Sequence, residues 1–133
     1  MKLLKQYYKK DVNRSVRISN MIKKEVSLIL TKYIKDPRIN FMITISMVKT
    51  SNDLSLSQIF FSYLGNYQNS INDTEHINNI TEIIKILKNA SGYIRKMLSK
   101  NLRLRVVPFL IFYHDDSLLS GIKISNLIKH VLR

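Results

Sequence analysis

The chain has 133 residues, of which 45% are hydrophobic, and it contains no cysteine. This length suits one domain that can build a core, and the missing thiols exclude disulfides and thiolate metal sites and fit a reducing cytoplasm. Twenty-two Lys and Arg against nine Asp and Glu give a net charge of +13, an excess that a polyanion usually offsets.

The first predicted helix runs from Asn13, a suitable N-cap, to about Tyr33. Residues 1–12 are basic and aromatic without a clear period, and we expect them to form a separate N-terminal arm. Pro37 in KDPR (35–38) ends any helix before it, because the residue preceding a proline avoids the α region. One face of the predicted helix carries its apolar residues, Met21, Ile22, Val26, Ile29, Leu30 and Tyr33.

Two strands joined by a short turn follow. Ser51–Asp53 supply the turn and Leu54–Leu64 the second strand, so the pair is a hairpin. In the second strand the apolar pattern changes phase near Gln58, which indicates either a β-bulge there or partial burial of both faces. The first strand alternates in polarity from residue 41, which predicts a buried face made of Phe41, Ile43, Ile45 and Met47.

A polar loop precedes a long amphipathic segment that begins near Thr74. Its apolar stripe is interrupted at Ala90-Ser91-Gly92, and a glycine inside a helix costs about 0.5–1 kcal/mol relative to alanine. We therefore expect two helices that meet at this small-residue joint. The stripe itself consists of Ile77, Ile80, Ile84, Leu87, Ile94 and Leu98.

Residues 106–114 (VVPFLIFYH) predict a third strand, with Pro108 at its start or on a sheet edge because proline cannot donate to the ladder. Residues 117–133 are apolar enough for a short C-terminal helical segment. The order helix, strand, strand, helix, helix, strand predicts an α+β domain over residues 13–116, in which helices cover a three-stranded sheet.

Motifs of catalysis are missing from the chain. There is no phosphate-binding glycine loop, and the histidines have no metal-ligand spacing. His114-Asp115-Asp116 suggests a metal or acid–base site, but a strand end followed by acidic turn residues explains it as well. We expect no enzyme activity, metal or cofactor; a small nuclease that uses His114 and Asp115 is the alternative.

The basic residues are the main functional signal. Arginine forks suit phosphate, and several on one surface make a salt-sensitive nucleic-acid interface. An anionic membrane surface or merely solvated charges are the alternatives, and no apolar run approaches the roughly 18–20 residues of a membrane span. The candidates for RNA contact are Arg14, Arg17, Lys35, Arg38, Lys88, Arg95, Lys96, Lys100, Arg103 and Arg105.

The predicted element order is also the plan of a KH RNA-binding domain, but its GxxG loop is missing, since the only glycines are Gly65, Gly92 and Gly121. From about Arg14 to Gly121 the chain closely resembles the ribosome-binding factor A family. The resemblance rests on the order and spacing of RSVR (14–17), EVSLIL (25–30), KDPR (35–38), ITISMVKTSNDLS (43–55), NASGYIRKML (89–98), LRLRVVPFLIF (102–112) and DDS (115–117).

This resemblance implies a type II KH-like fold in which a kink at Ala90, Ser91 and Gly92 replaces GxxG. It also implies a non-catalytic factor that binds the small (30S) ribosomal subunit and its rRNA, including 5′ and 3′ precursor regions. A monomer is the default for a domain of this size and charge. Such a factor assists cold-sensitive late maturation of the subunit and processing of the 16S rRNA precursor. The alternative is a general KH-like RNA-binding protein or RNA chaperone without subunit specificity, whose affinity follows charge alone.

Overall fold

In the part of the chain that it describes, the computed structural model of the protein has two helices and a three-stranded sheet, which confirms the predicted α+β class. It describes residues 2–34, 43–63 and 73–115, and of residues 2–12 and 73–76 it describes the backbone only. The predicted turn at 35–38 and the predicted segment 117–133 lie outside the described residues. In chain order the elements are α1 (Lys2–Lys32), β1 (Ile43–Thr50), β2 (Leu56–Tyr63), α2 (Asp73–Leu102) and β3 (Phe109–His114).

The first helix begins eleven residues earlier than predicted, at Lys2 rather than Asn13. Asn13 is therefore an interior residue of α1 and not its N-cap. Neither glycine nor proline occurs before Pro37, and Leu, Lys and Gln near the N-terminus are good helix formers. Nothing in this stretch opposes the helix, so residues 2–12 continue it.

Strand β2 lies in the middle of the sheet, between β1 and β3. It pairs with β1 in antiparallel fashion and with β3 in parallel fashion, from Leu56 opposite Phe109 to Phe61 opposite His114. A parallel pair needs a long crossover connection, and α2 supplies it. Pro108 directly precedes the edge strand β3, as predicted, because no ladder hydrogen bond is required of it there.

The sheet does contain a β-bulge, but it lies in β1 and not near Gln58. The register shifts between Ile45 and Met47, so that Ser46 is the extra residue of a β-bulge. The bulge moves the buried face from Ile45 to Val48, and Met47, predicted to be buried, is exposed.

In β2 the second explanation is confirmed, because both of its faces are at least partly buried. Ser57, Ile59 and Phe61 are buried on one face, and the hydroxyl of Ser57 lies 2.8 Å from that of Thr50. On the other face Ser62 is buried, and Leu56, Gln58 and Phe60 are half-buried.

Both helices pack on one side of the sheet. Helix α1 contacts β1, α2 contacts β3, and the helices contact each other. Full burial of an aliphatic or Phe side chain stabilises the fold by about 1.5–3 kcal/mol, so this cluster is the main source of stability. Its fully or almost fully buried members are Ile22, Val26 and Ile29 of α1, Ile59 and Phe61 of β2, and Ile83, Leu87, Ile94 and Leu98 of α2.

The predicted division of the second helical segment is wrong: α2 is α-helical without interruption from Asp73 to Leu102. Ala90 packs against the core, the hydroxyl of Ser91 donates to the Lys88 carbonyl (2.7 Å), and Gly92 is exposed. A Cβ atom added at Gly92 would have no atom within 4 Å. No packing contact inside the described part of the chain therefore requires glycine at this position.

Replacement of Gly92 by alanine is expected to raise the free energy of unfolding by about 0.5–1 kcal/mol, because alanine loses less backbone entropy in a helix and meets no neighbour here. Ala90→Gly is the opposed control, since it removes a half-buried methyl group and adds the glycine cost. Urea unfolding followed by circular dichroism measures both. A lower stability of Gly92→Ala would show that α2 needs its glycine.

Candidate nucleic-acid interface

The outer face of α2 carries a row of exposed lysines. Lys85, Lys88 and Lys96 lie opposite the buried stripe at helical spacing, with Gly92 between the last two and Lys100 one turn further on. All four lysines are exposed. Lys85 was missing from the predicted set, although its spacing of three residues from Lys88 places it on the same face. We include Lys85 in this surface and name Lys85, Lys88, Lys96 and Lys100 the α2 lysine row.

Arg95 differs from the lysines because the protein itself uses its guanidinium. The Nε atom donates to the carbonyl of Pro108 (3.1 Å) and Nη2 donates to that of Val107 (3.0 Å). The guanidinium carbon also lies 4.3 Å from the ring centroid of Phe109, a cation–π contact. Arg95 thus holds the residues just before β3 against α2. Its role in RNA contact stays a prediction, because its guanidinium already makes these structural contacts.

Residues 103–108, which connect α2 to β3, carry two further candidates. Arg103 follows the last residue of α2 with a φ of 52°, in the left-handed region that non-glycine residues rarely adopt. This conformation ends the helix. Arg103 and Arg105 are both exposed, whereas Pro108 is buried. The two arginines therefore stand on a connection that is fixed at both ends.

Arg14 of α1 and Arg105 of this connection line the same cavity, of about 260 Å³. Asp53, from the turn between β1 and β2, is the third charged residue of its wall. We name this cavity the Arg14–Arg105 cleft. Arg17 is exposed one turn after Arg14 on α1, and it is not part of the wall.

Hydroxyl groups hold the turn of the cleft against α1. The backbone N–H of Thr50, the last residue of β1, donates to the hydroxyl of Ser19 (2.9 Å). That buried hydroxyl in turn donates to the carbonyl of Ser15 (2.7 Å), one turn earlier in α1. These hydrogen bonds hold the hairpin turn against α1. The bonds from Arg95 hold the 103–108 connection, so each segment that lines the cleft is fixed by hydrogen bonds.

Asp53 is charged over the whole physiological range. Hydrogen bonds from the Ser51 hydroxyl (2.7 Å), the Ser55 hydroxyl (2.7 Å) and the Ser55 backbone N–H (3.1 Å) all reach Oδ1. In that order they lower the pKa of Asp53 from 3.8 to about 2, because hydrogen bonds to a carboxylate favour its ionised form. The cleft thus combines two cations with one fixed anion.

The other candidate residues belong to segment 35–38 and to the end of β3. Lys35 and Arg38 lie outside the described residues. His114 ends β3 with its ring edge-on to Phe61 at 5.6 Å, and Asp115 accepts a hydrogen bond from the Ser46 hydroxyl (2.9 Å). Within residues 2–34, 43–63 and 73–115, no group of three or more metal-ligating side chains is close enough to hold an ion. No helix of that part is long and apolar enough to cross a membrane.

Comparison with known proteins gives consistent matches. The profile of the family described as Ribosome-binding factor A matches residues 14–128. Ribosome-binding factor A of Buchnera aphidicola subsp. Cinara cedri (strain Cc) is 45% identical over 122 residues, which is 92% of this chain and 98% of the relative.

The coordinates of two relatives have the same fold. A solution NMR structure from Thermotoga maritima, titled a putative ribosome binding factor A, is 30% identical with a TM-score of 0.60, and the match covers 78% of this chain and 89% of that one. A homology model of the Thermus thermophilus ribosome binding factor A, fitted into an electron-microscopy map of its complex with the 30S subunit, is 18% identical with a TM-score of 0.55. That match covers 74% of this chain and 91% of the other, and at this identity it concerns the fold alone.

Arg95→Lys is expected to lower the free energy of unfolding by about 1–3 kcal/mol, because an ammonium group cannot reach two carbonyls as a guanidinium fork does. Lys96→Ala is the matched control, since its exposed neighbouring side chain makes no such bonds, and it should stay within about 0.5 kcal/mol of wild type. Chemical denaturation measures both. Equal stability of Arg95→Lys and wild type would contradict a structural role for the Arg95 guanidinium.

Asp53→Asn is expected to destabilise the protein above pH 4 and to have a shrinking effect as the pH falls towards 2. The folded-state pKa of Asp53 is lowered from 3.8 to about 2, so its ionised form adds stability above 3.8 that disappears as the carboxylate becomes protonated. Unfolding curves of both proteins between pH 2 and pH 6 test this. A constant difference over that range would contradict it.

Proposed function

The chain belongs to the ribosome-binding factor A family, and on this premise we propose that it binds the small ribosomal subunit through rRNA and assists its late maturation. In this proposal it acts as a monomer in the cytoplasm and promotes processing of the 16S rRNA precursor, including the precursor's 5′ and 3′ regions. It catalyses no reaction itself. The fitted complex of the Thermus thermophilus relative with the 30S subunit supports the choice of partner.

One observation carries the proposal: basic side chains from both helices and from the connection after α2 are exposed together in a chain of net charge +13. The α2 lysine row presents ammonium groups along one helix face, and Arg14 and Arg105 line one cleft. Lysine and arginine contacts to phosphate position a protein on RNA without reading its sequence. Such a surface suits folded rRNA, whose shape is recognised through its phosphates and 2′-hydroxyls.

A binding role without catalysis also fits the described residues. A catalytic site needs a nucleophile or metal together with a positioned acid or base. His114 and Asp115, the pair that a nuclease would use, have other contacts: the ring of His114 packs edge-on against Phe61, and the carboxylate of Asp115 accepts a hydrogen bond from the Ser46 hydroxyl. These side chains close the end of the sheet.

The second candidate function is a general RNA chaperone, which the net charge of +13 favours. The two functions differ in how much affinity for RNA is lost when one lysine is changed to an acidic residue. A chaperone bound by charge alone loses the same affinity wherever a lysine is reversed. A subunit-specific factor loses more when the lysine belongs to the bound surface.

Lys96→Glu is expected to weaken retention on purified 30S subunits far more than Lys49→Glu. Lys96 belongs to the α2 lysine row, whereas Lys49 is exposed on β1 next to buried Val48, on the sheet face that the helices leave uncovered. Co-sedimentation across a salt series measures the effect. Each lost phosphate contact should lower the slope of log affinity against log salt by about 0.7–0.9.

The same series with 50S subunits serves as the control for specificity. Wild-type protein should remain on 30S particles at salt concentrations that remove it from 50S particles. Equal retention on both, with equal losses for Lys96→Glu and Lys49→Glu, would refute the assembly-factor function and support the chaperone.

A further inference from the structure

We propose that the Arg14–Arg105 cleft accepts one unstacked nucleotide of single-stranded RNA, with its phosphate at the two arginines and its base on the apolar floor. The ligand chemistry is that of a nucleoside monophosphate whose base carries an exocyclic amino group. This inference rests on the proposed RNA-binding function and adds to it a site that distinguishes one nucleotide from another.

The size and lining of the cleft suit a single base. Its volume is about 260 Å³, and a cavity of about 150 Å³ is already large enough for benzene. A pyrimidine ring therefore fits with room for part of its ribose. The charged residues surround an apolar surface of Ile18, Leu54, Leu104, Val106 and Pro108.

That apolar surface includes a side chain that the fold itself does not bury. Val106 is 67% exposed at the wall of the cleft, whereas Ile18 and Pro108 are buried below it. A base that lies against Val106 removes this side chain from water, and burial of apolar surface favours binding. Contacts to base faces of this kind are independent of sequence.

The two arginines give the cleft its polarity. Arg14 comes from α1 and Arg105 from the 103–108 connection, so a phosphate between them is held from two directions. Guanidinium groups bind phosphate through paired hydrogen bonds. Neither side chain has a hydrogen bond to Asp53 or to any other group among the described contacts, in contrast to Arg95, whose fork the backbone occupies.

Asp53 supplies selectivity. Its three hydrogen bonds all end on Oδ1, which leaves Oδ2 to accept a bond from the ligand. Carboxylates in nucleic-acid interfaces accept hydrogen bonds from the N4 amino group of cytosine, while uracil presents a carbonyl oxygen at that position. The carboxylate therefore favours cytidine over uridine among the pyrimidines.

The backbone around the cleft is held in a single arrangement at some cost. Leu54 has a φ of 62° and Arg103 a φ of 52°, and they belong to the turn and to the connection that both line the cleft. Non-glycine residues rarely adopt this region, and they persist in it where the surrounding structure fixes them. A pocket with fixed walls loses little entropy when a ligand binds.

Fluorescence anisotropy with two labelled pentanucleotides tests the inference. The RNAs UUCUU and UUUUU carry equal charge and differ only at the central base. We expect wild-type protein to bind UUCUU about fivefold more tightly, the worth of about one added hydrogen bond. Asp53→Asn, measured at pH 7, should abolish this preference, and Arg105→Gln should weaken both RNAs more than Lys49→Gln, a control at an exposed residue outside the cleft and the α2 lysine row.

Equal affinity for the two RNAs, or an unchanged preference in Asp53→Asn, would overturn the inference. Binding of free cytidine monophosphate as tight as that of UUCUU would also overturn it, because the site would then serve a free nucleotide. Circular dichroism of each variant checks that it is folded. The proposed function fails separately, through loss of selective 30S retention by the wild-type protein, so the two failures are distinguishable.

Discussion

The contact on which the rest of the surface depends is the Arg95 guanidinium on the carbonyls of Val107 and Pro108. A parallel strand after a long helix needs a connection that turns back along the sheet, and such connections leave backbone carbonyls without ladder partners. Arg95 satisfies two of them from the helix itself. Because Phe109 then starts β3 at a fixed place beside β2, Arg105 is held at the wall of the cleft.

A second link fixes the other wall. The Ser19 hydroxyl accepts the N–H of Thr50 and donates to the carbonyl of Ser15, so α1 and the hairpin turn cannot separate without leaving a buried donor unpaired. The hydrophobic cluster holds helices and sheet together with far more free energy, but apolar contact is non-directional. These few polar contacts set the position of the walls, and with them the distance between cations on different elements.

Periodicity was sufficient to predict the strands and most of α2, because each has at least one buried face. Periodicity did not predict the features that the spacing of apolar residues does not determine. Residues 2–12 form helix without a visible stripe, a single bulge at Ser46 reversed the buried phase of β1, and Gly92 sits on a face where it interrupts nothing. Lys85 followed from spacing and was overlooked. The internal role of Arg95 and the meeting of Arg14 with Arg105 depend on tertiary contacts that no local pattern contains.

A net charge of +13 does not distinguish affinity for RNA from selectivity among RNAs, but the positions of the charged residues do. Exposed lysines act as point charges, whose attraction to phosphate is long-ranged, screened by salt and nearly the same for every RNA. They increase the rate of encounter but cannot select a site, and more lysines would strengthen every complex alike. Selection requires groups whose contribution to the binding free energy depends on the ligand. A carboxylate that must be paired and an apolar surface that must be covered are such groups. Of the basic surfaces described, the Arg14–Arg105 cleft is the one that places both beside its cations, so discrimination among RNAs belongs there and affinity to the α2 lysine row.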